Sequence, residues 1–194
     1  MAAGVEQRES NAEMVRQRRG PAPTGEVLDR GGAFAVCLGR SFAVPPAVVW
    51  DWLTDPERRR IWLGESSDDG RPTFRLAGAT MAAPRLTYDV ERVVTHEHLT
   101  VALRDDDPQG HGEGWRVDIA LTATPDGSHL MLEQSIIDRV PAPSVAAACE
   151  FYLDRLVRVC HGQHFTDLDP DDYFLSQGAA YRRMFPLPRT EHGR

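Results

Sequence analysis

Apolar and polar residues alternate from residue 33 to residue 44, which is the pattern of a strand with one buried face. The large apolar side chains share one parity, namely Phe34, Val36, Leu38, Phe42 and Val44. Arg40 has the same parity, so either a bulge or a strand-edge position turns it outward, or a cation points inward. The pattern therefore predicts a strand and leaves the direction of Arg40 open.

The spacing becomes helical immediately after this strand. The prolines at 45–46 end the strand and favour a first helical turn. The apolar stripe that follows consists of Val48, Val49, Trp52 and Leu53. Thr54 and Glu57 have the spacing of a capping box, with Pro56 in the first turn. We therefore predict two short helices with a sharp joint, the second beginning at about Asp55. Its apolar residues are Ile61, Trp62 and Leu63.

Five further alternating segments predict an antiparallel sheet, because consecutive strands joined by short turns pair in that way. The segments are 71–77, 85–94, 99–104, 114–124 and 128–138. The longest helical pattern then covers residues 143–160. Its apolar side consists of Val145, Cys149, Tyr152, Leu153, Leu156 and Cys160. The charged residues lie off this stripe, and they are Glu150, Asp154, Arg155 and Arg158. Asp154 and Arg158 have the i,i+4 spacing of a favourable ion pair.

The two ends of the chain lack such patterns. Residues 1–32 are polar, and residues 163–194 are first acidic and then basic, so we expect mostly flexible tails around a domain at 33–162. The aromatic residues of the second tail form either a lid over a cavity or part of a free segment, and they are Tyr173, Phe174, Tyr181 and Phe185.

Composition narrows the possible functions. The formal net charge is -7, which argues against a partner with a phosphate backbone and against an anionic membrane surface. All 22 Lys and Arg residues are arginine, so a lysine Schiff base and a P-loop are both excluded. This usage suggests a GC-rich, actinobacterial genome. The 3 cysteines contain no CxxC pair, and no segment has the length of a signal peptide or a membrane span, so we expect a cytoplasmic protein.

Residues that could carry out chemistry are sparse. The sequence has no GxSxG and no HExxH motif. The histidines at 96–98 lack a third ligand, and those at 161–164 lie near a helix end, where a cation interacts well with the dipole. The acidic run at 167–171 resembles the start of a calcium loop, but Asp172 stands where glycine is required. We therefore predict no catalytic residue, no metal site and no cofactor.

Three stretches carry a resemblance to a known family. They are FAVPPAVVWDWLTDPERRRIWL, DGSHLMLEQS and EFYLDRLVRVCHG, and they lie within residues 33–162. Together they resemble the START-like (Bet v 1-like, SRPBCC) superfamily, in the branch named after the C-terminal domain of the activator of Hsp90 ATPase. The resemblance implies an α+β helix-grip fold. In that fold a curved antiparallel sheet of about six strands wraps around a long C-terminal helix, with two short helices after the first strand.

The implied fold leaves an apolar cavity between the sheet and the long helix, which is the usual form of a small-molecule site. By parity the inward candidates for ligand binding are Trp62, Tyr88, Trp115, Val117, Ile119, Gln134, Tyr152 and Leu156. Val117, Ile119 and Leu156 can equally be plain core residues. Gln134 is a neutral amide on an apolar parity, so it either orients a ligand or lies in water at a strand end.

Three functions fit this resemblance. The first is non-catalytic binding of a hydrophobic small molecule, a lipid, an aromatic polyketide or another secondary metabolite, including self-resistance by enediyne sequestration. The second is a polyketide cyclase or aromatase, whose candidate residues are Arg40, Tyr88, Gln134 and Tyr152. The third is an Hsp90 co-chaperone-like interaction module. We expect a monomer or weak dimer that binds no nucleic acid and does not insert into membranes.

Overall fold

The structure, a computed structural model, describes residues 21–30, 33–67, 73–76, 86–105, 115–136 and 142–185. These residues form eight strands and four helices. The strands are β1 (Glu26–Asp29), β2 (Phe34–Phe42), β3 (Gly64–Ser67), β4 (Thr73–Leu76), β5 (Leu86–Val94), β6 (His98–Asp105), β7 (Trp115–Thr124) and β8 (Gly127–Ile136). The helices are α1 (Pro46–Thr54), α2 (Pro56–Trp62), α3 (Ala142–Cys160) and α4 (Pro170–Met184).

All strands belong to one antiparallel sheet in the order β1-β2-β8-β7-β6-β5-β4-β3. The helix-grip α+β fold is therefore confirmed. Each of the six predicted strands is present, and the short strands β1 and β3 extend the sheet at its two edges.

The core lies between α3 and the face of the sheet that β2, β7 and β8 turn toward it. Every even-numbered residue from Ser128 to Ile136 is buried, as the alternation predicts for a strand with one covered face. The aliphatic residues of this layer include Leu38, Leu130 and Leu156, each 0% exposed. Because α3 packs on β2, the first half of the sheet is covered more completely than β5 and β6.

The register of β2 against β8 settles the direction of Arg40. Pairing runs without interruption from Phe34 opposite Ile136 to Phe42 opposite Ser128, so no bulge lies within β2. Arg40 shares the inner face with its neighbours of the same parity and donates from Nε to Asp154 of α3 at 2.7 Å. Of the two alternatives that the sequence left open, the inward cation is correct.

Helices α1 and α2 form the predicted pair with a sharp joint. The cap differs from the prediction, because Asp55 and not Thr54 is the N-cap of α2. Asp55 Oδ1 accepts from the backbone N–H of Glu57 at 2.8 Å, while the Thr54 hydroxyl donates to the carbonyl of Trp50 at 2.8 Å. With Asp55 as cap, Pro56 occupies the first turn, where its missing N–H costs nothing.

Regular structure also occurs outside the predicted domain limits of 33–162. Strand β1 pairs with β2, and helix α4 packs on α3. In α4, Tyr173 and Tyr181 are buried, and Phe185 beyond its end contacts the Phe34 ring edge to face at 6.1 Å. Three of the four aromatic residues considered for a lid thus pack on the core, and Phe174 is exposed. Residues 1–20 and 186–194 of the predicted tails lie outside the described part of the chain.

Candidate functional site

The inner face of the sheet is only half covered where β5, β6 and β7 pass beyond α3. Registered pairs place Tyr88, Leu103 and Trp115 in one row, and Val101, Val117 and Gln134 in the next. Five of these six side chains are half-buried, although they share the face that is fully buried on β8. An inward apolar face with residual exposure is a surface that a ligand can cover.

Helix α3 borders this surface with Cys149 and Tyr152, which are one turn apart and half-buried. The thiol of Cys149 donates to the side-chain oxygen of Gln134 at 2.9 Å, which fixes the amide of β8 against the helix. We call the surface formed by the inner residues of β5–β8 and these two helix residues the groove. The groove consists of Tyr88, Val101, Leu103, Trp115, Val117, Gln134, Cys149 and Tyr152.

Helix α2 contacts the groove through the side chain of Arg59. Arg59 donates from Nη2 to the hydroxyl of Tyr88 at 3.0 Å, and its guanidinium carbon is 5.2 Å from the centre of that ring. The contact connects α2 to β5 and holds the Tyr88 ring in place. The second helix of the joint therefore contacts the groove on the side of β5.

Cys149 and Tyr152, the two residues of α3 in the groove, are uncharged at neutral pH. Burial, with a smaller effect of the Glu150 charge, raises the pKa of the Cys149 thiol to about 12. Burial likewise raises the pKa of Tyr152 to about 12, although the Arg155 charge acts in the opposite direction. A thiol and a phenol that stay protonated can donate hydrogen bonds to a ligand, and neither adds a charge to the groove.

The structure divides the eight predicted ligand-binding residues into two sets. Five of them lie together in the groove, namely Tyr88, Trp115, Val117, Gln134 and Tyr152. The other three lie in the buried core, and they are Trp62, Ile119 and Leu156. Trp62 is 5% exposed and donates its indole N–H to the carbonyl of Trp52 at 2.9 Å, so it fixes the joint of the two short helices.

Three residues of the groove were not among the predicted ones, namely Val101, Leu103 and Cys149, and neither was Arg155 beside Tyr152. Cys149 stands three residues before Tyr152 on the predicted apolar stripe, and this helical spacing was the signal that could have identified it. Arg155 was assigned to the charged side of the helix, yet it is only 7% exposed. No periodicity in the sequence separates a buried arginine from a solvated one.

The inward cation of β2 is held by the acidic side chains of α3. Arg40 forms an ion pair with Glu150 through Nη2 and another with Asp154 through Nε. The phenol of Tyr173 donates to the other oxygen of Asp154 at 2.6 Å. Asp154 therefore pairs with Arg40 and not with Arg158, whose partner is Asp167 at 3.3 Å. Of the residues considered for cyclase chemistry, Arg40 is thus engaged in structural ion pairs.

A surface depression of about 440 Å³ lies between α3, the loop that follows it, and α4. Its lining is acidic, but the acids have structural roles. Asp169 caps α4 by accepting from the N–H of Asp171 at 2.9 Å, and Asp167 pairs with Arg158. The acidic run that resembles a calcium loop is therefore a helix cap and an ion pair.

Two of the histidines singled out in the sequence also have local partners. His161 Nε2 accepts from the backbone N–H of Ala43 at 3.0 Å, just beyond the end of α3. His98 lies 3.1 Å from the hydroxyl of Thr100, which donates to Asp118 at 2.7 Å. Within the described ranges no group of three or more His, Cys, Asp or Glu side chains has the arrangement of a metal site. No helix among the residues described is both long and apolar enough to cross a membrane.

The sequence of this chain matches the model of a known family. Residues 43–161 match the model of the family described as activator of Hsp90 ATPase homolog 1-like protein. A search of curated proteins found no match to the sequence. Among solved structures, the crystal structure of CalU16 from Micromonospora echinospora aligns with a TM-score of 0.63 at 21% identity, over 83% of this chain and 98% of that one.

Two further structures show the same fold at low identity. EF2215 from Enterococcus faecalis aligns with a TM-score of 0.62 at 14% identity, over 84% of this chain and 93% of that one. DynU16, a protein of the dynemicin biosynthetic locus, aligns with a TM-score of 0.55 at 21% identity, over 70% of this chain and 49% of that one. At these identities the likeness establishes the fold alone.

Proposed function

The chain belongs to the family described as activator of Hsp90 ATPase homolog 1-like protein, and on that premise we propose that it binds a hydrophobic small molecule in the groove. The observation that carries the proposal is the half-buried state of the inner residues of β5–β7. Trp115 and Val117 lie on the apolar inner face, yet neither is fully covered. A ligand that covers them removes apolar surface from water, at about 25 cal/mol for each Å² buried.

The groove combines this apolar surface with a few fixed polar groups. Gln134 is held by Cys149 at 2.9 Å, and Tyr152 remains a protonated phenol. Such groups orient a ligand by hydrogen bonding while the aromatic and aliphatic side chains supply most of the contact area. The arrangement suits binding, in which the ligand leaves chemically unchanged.

We propose a secondary metabolite, such as an aromatic polyketide or an enediyne, as the ligand class. The support is that DynU16, which shares the fold, is a protein of the dynemicin biosynthetic locus. The rings of Tyr88 and Trp115 offer flat surfaces on which a fused aromatic ligand can stack.

A titration followed by the backbone amide NMR spectrum tests the proposal. The panel contains fatty acids, flavonoid-like aromatics, aromatic polyketides and an enediyne. We expect saturable shifts at the amides of Val117, Gln134 and Tyr152 for at least one class. A dispersed spectrum that no ligand changes would refute binding in the groove.

A pair of matched variants locates the binding site. Val117→Trp places a large ring on the inner face of β7, and we expect it to block the ligand. Thr122→Trp places the same ring on the same strand at an exposed position of opposite parity, and we expect it to leave binding unchanged. If both variants bind like the wild type, the ligand lies elsewhere.

A further inference from the structure

The side chain of Arg155 on α3 is buried, and no counter-ion for it lies within the described part of the chain. The residue is 7% exposed, and Nη2 donates to the backbone carbonyl of Ile61, at the end of α2, at 3.1 Å. Its Nε is buried and has no hydrogen-bond partner among the residues that the structure describes. No carboxylate of the described residues forms a salt bridge with this guanidinium. Arg40, the other inward arginine, has two such partners.

Three aromatic rings lie close to the guanidinium of Arg155. Its central carbon is 4.4 Å from the centre of the Phe165 ring, 5.4 Å from that of Phe151 and 6.0 Å from that of Tyr152. Cation–π contacts of this kind offset only part of the free-energy cost of burying a charge without a counter-ion. Burial accordingly lowers the pKa of Arg155 from its usual value.

The unpaired cation adjoins the groove. Tyr152 borders the groove from α3, and the same ring lies beside the guanidinium of Arg155. The guanidinium of Arg155 and the groove therefore share the Tyr152 ring as a neighbour. The Nε–H of Arg155 is already removed from water. An oxyanion carried by a groove ligand would supply the missing hydrogen-bond acceptor and the missing charge together.

We propose that Arg155 binds the anionic group of the ligand, so that the groove selects amphiphilic molecules with an apolar ring system and one carboxylate or sulfonate. This inference rests on the proposed function, because it assigns the charged end of the same ligand. It also explains why a protein with net charge -7 keeps an unpaired arginine inside. A planar guanidinium presents N–H groups in the geometry that an oxyanion accepts.

Two fluorescent probes with one ring skeleton test the charge requirement. 8-Anilino-1-naphthalenesulfonate carries a sulfonate, and N-phenyl-1-naphthylamine is the same molecule without it. Titration of the wild-type protein gives the ratio of their dissociation constants. We expect the sulfonate probe to bind about tenfold or more tightly, as a hydrogen bond to a buried charged group implies. Equal binding, or tighter binding of the neutral probe, would overturn the inference and leave the proposed function standing.

Variants assign the preference to one residue. Arg155→Met keeps a long apolar side chain, and we expect it to lose the preference for the sulfonate while the neutral probe binds within about twofold of the wild type. Arg158→Met on the same helix removes an arginine that is paired with Asp167, and we expect it to change neither constant. A preference that survives Arg155→Met would refute the role of Arg155.

The neutral probe also reports whether a variant is folded. If Arg155→Met loses binding of N-phenyl-1-naphthylamine, Arg155→Gln, which keeps a neutral N–H donor for the Ile61 carbonyl, is measured in the same way and should show the same lost preference. If neither probe binds the wild-type protein, the proposed function fails together with the inference.

Discussion

Glu150 of α3 connects four elements of the fold from a buried position. Its side chain is 1% exposed and pairs with Arg40 of β2. It accepts from the hydroxyl of Tyr181 in α4 and from the N–H of Thr24, both at 2.6 Å, and from the N–H of Gly25 at 3.0 Å. Removal of this one charge should therefore weaken the attachment of the segment before β1 and of α4 together.

The test is Glu150→Gln, which keeps the shape of the side chain and removes its charge. Arg40 then keeps only Asp154 as an ionic partner. Loss of one partner from a buried ion pair costs about 3–5 kcal/mol, a large part of the ~5–15 kcal/mol that stabilises a typical domain. Urea unfolding at pH 7, followed by circular dichroism, measures the loss. The matched control is Glu133→Gln on β8, whose pair with Arg30 is 41% and 58% exposed, so we expect less than about 1 kcal/mol.

The pH dependence supplies a second check on Glu150. Burial alone would raise the pKa of this carboxyl, but the hydrogen bonds from Tyr181, Arg40 and Thr24 outweigh it and hold the pKa below its usual value. A carboxyl with a lowered folded-state pKa stabilises the protein above its unfolded-state pKa of about 4.3, and this contribution is lost as the pH falls through the folded-state value. The difference between wild type and Glu150→Gln should therefore shrink below pH ~4. If Glu150→Gln loses no more stability than Glu133→Gln at pH 7, the reasoning is refuted.

Three further changes test other parts of the structure. Gly25→Ala places a Cβ 2.5 Å from the Tyr181 hydroxyl and should cost about 1–3 kcal/mol of stability in urea unfolding. Gly178→Ala in α4 meets nothing within 4 Å and should stabilise the protein by about 0.5–1 kcal/mol. If Gly178→Ala were the more destabilising of the two, the packing described for β1 would be contradicted. Asp55→Ala removes the N-cap of α2 and should cost about 1 kcal/mol of stability by the same assay. If no stability is lost, the N-cap of α2 is a different residue. Because the pKa of the Cys149 thiol is about 12, iodoacetamide at pH 8 should alkylate it far more slowly in the native protein than in the urea-unfolded protein. Peptide mass spectrometry measures the two rates. Equal rates would show that the thiol is not buried.

Local periodicity predicted the regular elements well. The alternation at 114–124 corresponds to β7, and the helical stripe at 143–160 corresponds to α3 within one residue. The pair of short helices also follows from local signals, since proline and an acidic cap act within one turn. The short strands β1 and β3 were missed because a strand of four residues has too little alternation to be recognised without its partner.

The residues of the groove could be predicted only in part from the alternation of residues along the strands. Parity identified the inner faces of β5, β7 and β8, and so five of the eight predicted residues lie in the groove. Parity could not tell a groove residue such as Val117 from a core residue such as Ile119, which stands two positions later on the same face. The difference depends on which helices cover each position of the sheet, and no local pattern contains that information.

The sequence by itself determined the order and type of the main elements and the apolar face of each strand, because these depend on spacings of two to four residues. Only the tertiary structure decided which charged side chains lie inside and what they contact. Arg40 and Glu150 are 110 residues apart, and Arg155 and Ile61 are 94 apart. A buried ion pair and a buried unpaired cation look alike in the sequence, since the free energy of each depends on partners that only the folded chain brings within reach.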